Sequence, residues 1–366
     1  AANYFDITKT KAEGVTREIA LDGAPWTPPA DDFYMTDAIT DYALDFLDED
    51  ASGEEPFFLY LAYTAPHWPL HALPEDIEKY KGKYLKGWDK LREERYNNLI
   101  ELGIIDKDWS ISPRDEEIIP WEEVENKEEM DLKMAIYAAQ IDRMDQGIGR
   151  VLEKIEEMEK KENTVVMFLS DNGGCHEGGP FGFDRRENGL PPGGVDSYMS
   201  YGRAWANLSN TPFRMFKHWV HEGGISTPFI INWPEEIKEV KITDSLAHIT
   251  DITATCIDIA GAEYPEDYRG NEITPLEGES FKYILSGVDR ERENPIFWEH
   301  EGNRAVHDGK WKLVSKDCGK WELYNLKEDR TELNDLAEDK LRVYPELPEK
   351  YYQWADKCGV LDWPLD

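Results

Sequence analysis

Residues 164–174 read TVVMFLSDNGG, an apolar run that ends abruptly in polar residues and glycines. The β-branched and apolar residues up to Ser170 predict a strand that is buried on both faces. Asp171 and Asn172 then offer hard oxygen ligands, and the two glycines permit backbone angles that other residues resist. In parallel α/β sheets, sites lie just beyond the carboxyl ends of strands. The pattern therefore indicates a divalent-metal site or, since Asp, Asn and Gly dominate turns, a simple turn after a buried strand.

The composition is that of a folded and strongly acidic protein. Its 366 residues include 13 Trp, 18 Tyr and 13 Phe, and the formal net charge is −35 at pH 7. This charge argues against a nucleic-acid backbone or an anionic membrane as the partner, and an anionic substrate would need local cations. No apolar run approaches the roughly 20 residues of a membrane helix, so we expect no transmembrane segment.

The cysteines are Cys175, Cys256, Cys318 and Cys358. They form no C-x-x-C pair and no metal-ligand spacing, which argues against a zinc site. Cys318 and Cys358 could form a disulfide in an oxidising compartment, with reduced thiols as the alternative.

Two further segments complete a strand–helix–strand pattern. Residues 57–63 (FFLYLAY) predict a second buried strand, which runs into residues 64–71 (TAPHWPLH). Prolines in that loop exclude helix and strand, so His67 and His71 are displayed on a stiff loop beyond a strand end. Residues 128–159 carry apolar side chains at helical spacing and predict one long helix. This order favours an α/β organisation.

Two other regions depart from this pattern. Residues 175–210 are rich in glycine and arginine, and loops of this length in compact domains are usually functional. From about residue 294 the segments PIFWEH, NRAVHDG, KWKLVS and WELYNL predict a small antiparallel sheet. A terminal helix is expected near residues 345–357.

Four elements in this order carry a family resemblance: the 64–71 loop, the DNGG corner at 171–174, SNTPFRMFKHWVHEGG at 209–224 and FWEHEGNRAVHDGKWKLV at 297–314. Together they resemble the carboxyl-terminal two thirds of the formylglycine-dependent sulfatases, the arylsulfatase type of the alkaline phosphatase superfamily. The similarity runs from residues 3–5 (NYF) to residues 322–326 (ELYNL) and on to the tail at 329–337.

The resemblance implies a fold and a division of the chain. The fold is α/β, a large mixed sheet flanked by helices and amino-terminally incomplete, with a small C-terminal antiparallel sheet plus helix. Residues 1–290 would be the remainder of the catalytic α/β domain. Residues 291–366 would form a small C-terminal α+β subdomain.

The resemblance also assigns site residues. Asp171 and Asn172 resemble two of the family's calcium ligands, with magnesium the less favoured ion. His67 resembles the histidine that contacts the sulfate ester and can protonate the leaving oxygen, and Lys217 the lysine that neutralises sulfate charge near the bridging oxygen. His300 lies on a strand that approaches the pocket mouth and is expected to touch the leaving group. The remaining loop histidines, His71, His218 and His221, are expected to belong to the loops or to support the site residues without touching the substrate.

One departure from the family pattern is large. The nucleophile motif C/S-x-P-x-R, whose first residue becomes formylglycine, is missing, and so are the paired aspartates that complete the metal site. We therefore expect an amino-terminally truncated sulfatase that is inactive by itself and needs the missing amino-terminal segment as its partner, with formylglycine on that segment.

Other functions remain open beside sulfate ester hydrolysis. A phosphodiesterase or phosphonate hydrolase of the same superfamily shares the metal corner. A non-catalytic sulfatase-like fragment that only binds is the other alternative, and the missing nucleophile motif favours it for this polypeptide. For the leading hypothesis the substrate is a sulfated small molecule or sugar. Family habit implies a periplasmic, secreted or lysosomal protein.

Overall fold

A computed structural model describes residues 2–10, 14–29, 31–50, 55–288, 292–340 and 344–365. The helices are α1 (Met35–Asp50), α2 (Pro74–Glu78), α3 (Trp88–Glu101), α4 (Lys127–Glu157), α5 (Gly202–Ser209), α6 (Glu222–Ile225), α7 (Ile249–Ala260), α8 (Lys282–Leu285), α9 (Ala337–Lys340) and α10 (Glu346–Cys358). The strands are β1 (Ile19–Leu21), β2 (Ala24–Trp26), β3 (Val166–Leu169), β4 (Phe229–Asn232), β5 (Asp267–Tyr268), β6 (Asn271–Glu272), β7 (Ile296–His300), β8 (Asn303–Asp308), β9 (Trp311–Ser315) and β10 (Glu322–Asn325).

The chain divides into two compact units. Unit 1 comprises Ala1–Asn98, Pro113–Lys161 and Gly174–Thr211, and unit 2 comprises Leu99–Ser112, Glu162–Gly173 and Pro212–Asp366. The subdomain predicted from residue 291 lies within unit 2. Its boundary at residues 290–291 falls outside the described residues, and its separation from the rest of that unit stays a prediction.

The helix predicted over residues 128–159 is confirmed as α4, which packs against α1 in unit 1. Their apolar faces share a buried cluster that contains Ala43, Leu47, Val151 and Ile155. At Gly147 a Cβ would lie 2.4 Å from Thr40 Oγ1, so glycine permits the close approach of the two helices. Arg143 adds two hydrogen bonds to the Asp37 carboxylate, at 2.7 and 2.6 Å. Although α4 has 31 residues, neither it nor any other described helix is apolar enough to cross a membrane.

The predicted C-terminal sheet is confirmed in unit 2 as four antiparallel strands in the order β10-β9-β8-β7. One face packs against the predicted terminal helix, α10, in a cluster that contains Val306, Leu313, Leu323, Leu347 and Tyr351. The other face holds a second cluster that contains Val220, Ala305, Val314 and Tyr324. Because both faces are covered, every residue of β9 is buried.

The prediction that residues 164–170 are buried on both faces is wrong. The strand is β3, and among the described residues it pairs with β4 alone, antiparallel, with Met167 opposite Ile231. Phe168 is 41 % exposed. An apolar run specifies an extended backbone, but it does not specify how many neighbours cover that backbone.

The prediction of a buried strand at residues 57–63 is also wrong. These residues lie outside every β-ladder among the described parts of the chain. Phe58 and Tyr60 are 80 % and 82 % exposed, whereas Leu59 and Leu61 pack against the α1–α4 cluster. The segment therefore alternates with period two. Its outward residues are aromatic rather than polar, so the alternation of buried and exposed side chains cannot be recognised from residue polarity.

Residues 175–210 are irregular over most of their length, as predicted for a loop, but their last part is helical. Helix α5 covers Gly202–Ser209, and its Trp205 is fully buried. Trp205 donates its indole N–H to the carbonyl of Met130 at 2.9 Å. This contact anchors the end of the loop to α4.

All four cysteines are free thiols in the structure. Cys318 and Cys358 are both exposed, and the Cys318 backbone N–H donates to the carbonyl of Gly302 at 2.8 Å. The reduced alternative is therefore the one observed.

Candidate active site

The loop that carries His67 is held in unit 1 by two buried tyrosines. The Tyr4 hydroxyl lies 2.7 Å from the carbonyl oxygen of Thr64 and 2.9 Å from that of His67. Tyr34 donates its hydroxyl to the carbonyl of His71 at 3.0 Å. Carbonyls along the whole loop are therefore fixed by side chains from outside it.

The imidazole of His67 is oriented by the residue that follows it. Nδ1 lies 2.8 Å from the carbonyl oxygen of Trp68, and a carbonyl only accepts, so Nδ1 carries the hydrogen of the neutral ring. Nε2 is then the ring nitrogen that carries no hydrogen in the neutral ring. Trp68 donates its indole N–H to Glu177 at 2.6 Å and packs edge-on against Phe183, with ring centroids 4.9 Å apart. These contacts hold Trp68, whose carbonyl oxygen favours the Nδ1–H tautomer of His67.

His71 is fully buried in unit 1, and its hydrogen bonds suit the neutral ring. Nε2–H donates to the carbonyl of Ser197 at 2.7 Å, and the Tyr4 backbone N–H donates to Nδ1 at 3.3 Å. Burial lowers the pKa of His71 to about 4. A proton added at Nδ1 would face the N–H of Tyr4, so protonation breaks this arrangement.

We expect unit 1 to lose stability in acid through His71. Its folded pKa of about 4 lies below the ordinary value of 6.5, so the stabilisation is complete above pH 6.5 and is lost as the pH falls towards 4. The whole effect is about 3 kcal/mol, at about 1.4 kcal/mol per pKa unit. His71→Gln keeps a donor and an acceptor but does not titrate.

Urea unfolding at about pH 7.5 and about pH 4.5 measures the difference in stability that acid causes. The difference should be smaller for His71→Gln than for the wild type, and the same substitution at exposed His300 is the control. An equal acid loss in the wild type and His71→Gln would contradict this role.

The DNGG corner follows β3 in unit 2 and is held against α6. The Gly173 N–H donates to the carbonyl of Gly224 at 2.9 Å. Thr227 donates its hydroxyl to the carbonyl of Ser170 at 2.7 Å. Both bonds use backbone groups, of Ser170 and Gly173, while the Asp171 side chain is exposed and the Asn172 side chain is half-buried.

Asp171 and Asn172 have the donor chemistry of a calcium site. Asp171 is exposed, and its Oδ1 lies 2.5 Å from the amide nitrogen of Asn172. A half-turn of that amide would present its oxygen beside the carboxylate. Calcium takes about six to eight oxygen ligands, so these two residues fit the ion as part of its coordination.

Lys217 lies on a tight loop that is packed onto α6. Its neighbours Met215 and His218 have φ of 66° and 98°, a left-handed backbone that side chains rarely adopt. A Cβ at Gly224 would lie 1.8 Å from the carbonyl oxygen of Trp219, so glycine is required for this approach. The Lys217 loop and the DNGG corner therefore both rest on α6.

The structure adds His218 and Glu301 to the neighbourhood of His300. The rings of His218 and His300 are 5.1 Å apart, and His218 Nδ1 lies 3.4 Å from a carboxylate oxygen of Glu301. Burial, together with the nearby His300, lowers the pKa of His218. We predicted that His218 belongs to the loop or supports the site residues, and we did not predict its contact with His300. The sequence did contain a hint of this contact, because each of the two added residues directly follows a predicted site residue: His218 follows Lys217, and Glu301 follows His300.

These three side chains, whose ligand atoms lie within 4.8 Å of one another, could in principle surround a metal ion. Asn303 donates its amide N–H to His218 Nε2 at 3.2 Å, so protein groups face both ring nitrogens of His218. Imidazole nitrogens also suit zinc or copper rather than calcium. The cluster therefore does not compete with the DNGG corner for calcium.

Charges buried beside α6 were also missed by sequence reasoning. The Lys312 ammonium, fully buried, lies 2.6 Å from an oxygen of Glu222 and 2.8 Å from an oxygen of Glu332. Arg330 pairs with Glu222 as well. Burial alone would raise the pKa of Glu222, but the two cations outweigh it and hold that pKa well below its usual range. The cluster fixes the first residue of α6.

Four of the five predicted site residues thus belong to unit 2. Asp171 and Asn172 lie at the corner on α6, Lys217 lies on the loop packed onto the same helix, and His300 meets the neighbour of Lys217. His67 belongs to unit 1. The catalytic, binding and metal roles of these residues stay predictions.

A family model described as Sulfatase matches residues 3–262, which is more than two thirds of the chain. The chain belongs to the sulfatase family. A second model, described as N-sulphoglucosamine sulphohydrolase, C-terminal, matches residues 213–352. The resemblance deduced from the motifs, to sulfatases of the alkaline phosphatase superfamily, is thereby confirmed.

Two curated sulfatases are similar to this family member over most of the chain. An uncharacterized sulfatase of Schizosaccharomyces pombe is 32% identical over 299 residues, which cover 77% of this chain and 53% of its own length. An arylsulfatase of Klebsiella aerogenes is 32% identical over 272 residues, which cover 72% of this chain and 58% of its own. The chain therefore spans somewhat more than half the length of these relatives.

Solved structures share the fold. The crystal structure of Ps i-CgsB has a TM-score of 0.63 at 21% identity and covers 93% of this chain and 58% of its own. A structure solved in complex with its substrate D-glucosamine-2-N,6-O-disulfate has a TM-score of 0.54 at 19% identity and covers 92% and 71%. The predicted fold class, α/β with a small C-terminal antiparallel sheet, is confirmed by these neighbours.

Proposed function

We propose that this protein hydrolyses sulfate esters and that its natural substrate is a sulfated sugar. The observation that carries the proposal is the family match over residues 3–262, a span that contains His67, Asp171, Asn172 and Lys217. A sugar is favoured because the second matching model describes an N-sulphoglucosamine sulphohydrolase. A structural neighbour is also bound to a sulfated glucosamine.

The proposed roles follow from where negative charge develops in the reaction. As the S–O bond breaks, charge accumulates on the leaving oxygen, and a proton from His67 Nε2 neutralises it. The Lys217 ammonium offsets the sulfate charge near the bridging oxygen. His300 contacts the leaving group. In a chain of net charge −35, these local groups provide the positive charge that the substrate needs.

Asp171 and Asn172 would hold the metal ion, calcium in preference to magnesium. When bound, the ion supplies positive charge beside the sulfate oxygens. The chain itself contains no C/S-x-P-x-R motif, so the formylglycine that the family resemblance implies is not among these residues.

Two further parts of the proposal rest on the family alone. Both matching models and the curated relatives are sulfatases, which favours sulfate esters over the phosphonate or phosphate diesters of related hydrolases. The compartment we propose is periplasmic, secreted or lysosomal, by the habit of the family.

We expect Asp171→Ala in the intact protein to remove calcium binding and to lower aryl sulfate turnover by at least about 10²-fold. The physical reason is that the variant deletes the charged oxygen ligand of the corner. Calorimetric titration with calcium and the initial rate on 4-nitrophenyl sulfate measure the two effects. Asp267→Ala removes an exposed carboxylate in β5 and is the matched control.

The same assay tests the metal assignment and distinguishes a sulfatase from a phosphonate hydrolase. Normal turnover of Asp171→Ala at low calcium would contradict the metal assignment. If the calcium-loaded wild type hydrolysed a phenyl phosphonate ester faster than the sulfate ester, the related hydrolase function would replace the proposed one.

A further inference from the structure

Arg185 and Arg186 are adjacent cations in the glycine- and arginine-rich loop of unit 1. Among the described residues, neither guanidinium forms a salt bridge with a carboxylate. Elsewhere in the same unit Arg143 pairs with Asp37 at 2.6 Å. Arg185 is also exposed. The neighbouring Asp184 carboxylate accepts from the Arg186 backbone N–H at 2.9 Å, which leaves both guanidiniums without a salt bridge to any described carboxylate. In a chain of net charge −35, two adjacent guanidiniums of this kind attract an anion.

Aromatic rings and backbone bonds fix the positions of both side chains. The Arg185 N–H donates to the carbonyl of Tyr198 at 2.9 Å, and the Arg185 guanidinium lies 4.3 Å from the centre of the Phe183 ring. The Arg186 guanidinium lies 5.3 Å from the centre of the Tyr198 ring and donates to the carbonyl of Thr10 at 3.3 Å. Because the side chains are already ordered, an anion that binds them loses less conformational entropy.

Arg185 is connected to His67 through two aromatic residues of the same unit, and Arg186 follows it directly in the sequence. The ring that supports Arg185, Phe183, packs edge-on against Trp68 at 4.9 Å. Trp68 in turn lies 5.1 Å from the His67 ring, centroid to centroid. These ring contacts link the Arg185 guanidinium to the His67 imidazole through one continuous row of side chains, with Trp68 buried in its middle.

We propose that Arg185 and Arg186 bind a second anionic group, a sulfate or a carboxylate, on the substrate whose reacting sulfate ester meets His67. A guanidinium presents paired N–H donors that match the oxygens of either anion. The inference rests on the proposed function for the reacting ester. It adds the substrate class, which is a sugar that carries at least one more anionic group.

The double variant Arg185→Ala/Arg186→Ala tests the inference. Three substrates are compared: glucosamine 6-sulfate, glucosamine N,6-disulfate and a monosulfated disaccharide that contains a uronic acid. The ratio of kcat/KM for a doubly charged substrate to that for glucosamine 6-sulfate should fall about 10- to 100-fold, the effect of one lost charge-assisted hydrogen bond. A fall for the disulfate alone identifies sulfate as the second group, and a fall for the uronate alone identifies carboxylate. Unchanged ratios for both would overturn the proposal.

Two matched variants control for charge. Arg185→Lys/Arg186→Lys keeps both charges without the paired donors and should restore part of the ratio. Arg269→Ala removes an exposed arginine of unit 2, and the ratio should stay at its wild-type value. A loss in Arg269→Ala equal to that in the double variant would mean a general effect of net charge, and this too would overturn the proposal.

Calorimetric binding of glucosamine N,6-disulfate separates this inference from the proposed function, because it needs no turnover. If the intact wild-type protein, with its formylglycine-bearing segment, hydrolysed no sulfate ester, the proposed function would fail. A lower affinity for the disulfate in the double variant would still support the arginine site. Equal affinities in the two proteins would overturn the site whatever the activity.

Discussion

Lys312→Met should lower the free energy of unfolding by about 3–5 kcal/mol, because it leaves buried carboxylates without their shared cation. Lys312 lies between Glu222 and Glu332, which are 4% and 0% exposed. Methionine has a similar volume, so the loss reports the charge rather than a cavity. Urea unfolding at neutral pH measures it.

Lys310→Met is the matched control, since Lys310 is exposed and lies two residues before Lys312. We expect its effect to stay within about 0.5 kcal/mol. If Lys312→Met cost less than about 1 kcal/mol, the buried cluster would not have the stabilising role assigned to it. Glu222 begins α6, and Gly224 of that helix accepts from the DNGG corner, so weaker calcium binding should accompany the loss of stability.

His67→Ala should lower kcat by about 10²-fold or more for sulfate esters with poor leaving groups. Such a leaving oxygen carries nearly a full negative charge as the S–O bond breaks and depends on the proton from Nε2. A good leaving group, such as 4-nitrophenolate, stabilises the charge by itself. The loss should therefore shrink steadily as the leaving group becomes more acidic.

A series of aryl sulfates with leaving groups of increasing acidity measures this dependence. His248→Ala, in unit 2 and outside the predicted site, is the control and should change every substrate alike and little. An equal loss for poor and good leaving groups in His67→Ala would exclude the role of general acid.

Much of the fold could be predicted because the spacing of apolar residues along a helix or strand shows which of its faces is buried. The apolar stripe of residues 128–159 became α4 with an error of one or two residues at each end. The alternating segments after residue 294 became the four-stranded sheet, since its strands are covered on both faces by clusters that include Leu313 and Val314.

Burial was predicted wrongly where apolar residues follow one another without a helix or strand period. Residues 57–63 contain aromatic side chains on both faces of an extended segment, and Phe58 and Tyr60 face solvent. Phe168 of β3 is likewise partly exposed. Side-chain polarity alone does not state how many neighbours a segment has, so the predicted burial was wrong in both places.

The sequence by itself determined the family, because motifs of fixed spacing lie within short segments. The same motifs supplied the predicted site residues, Asp171, Asn172, His67 and Lys217, whose roles stay predictions. The tertiary structure alone decided which distant segments meet. It placed His218 against His300, 82 positions later, and enclosed Lys312 between two glutamates. Such contacts depend on the path of the backbone between the partners, and no local pattern of polarity or spacing encodes that path.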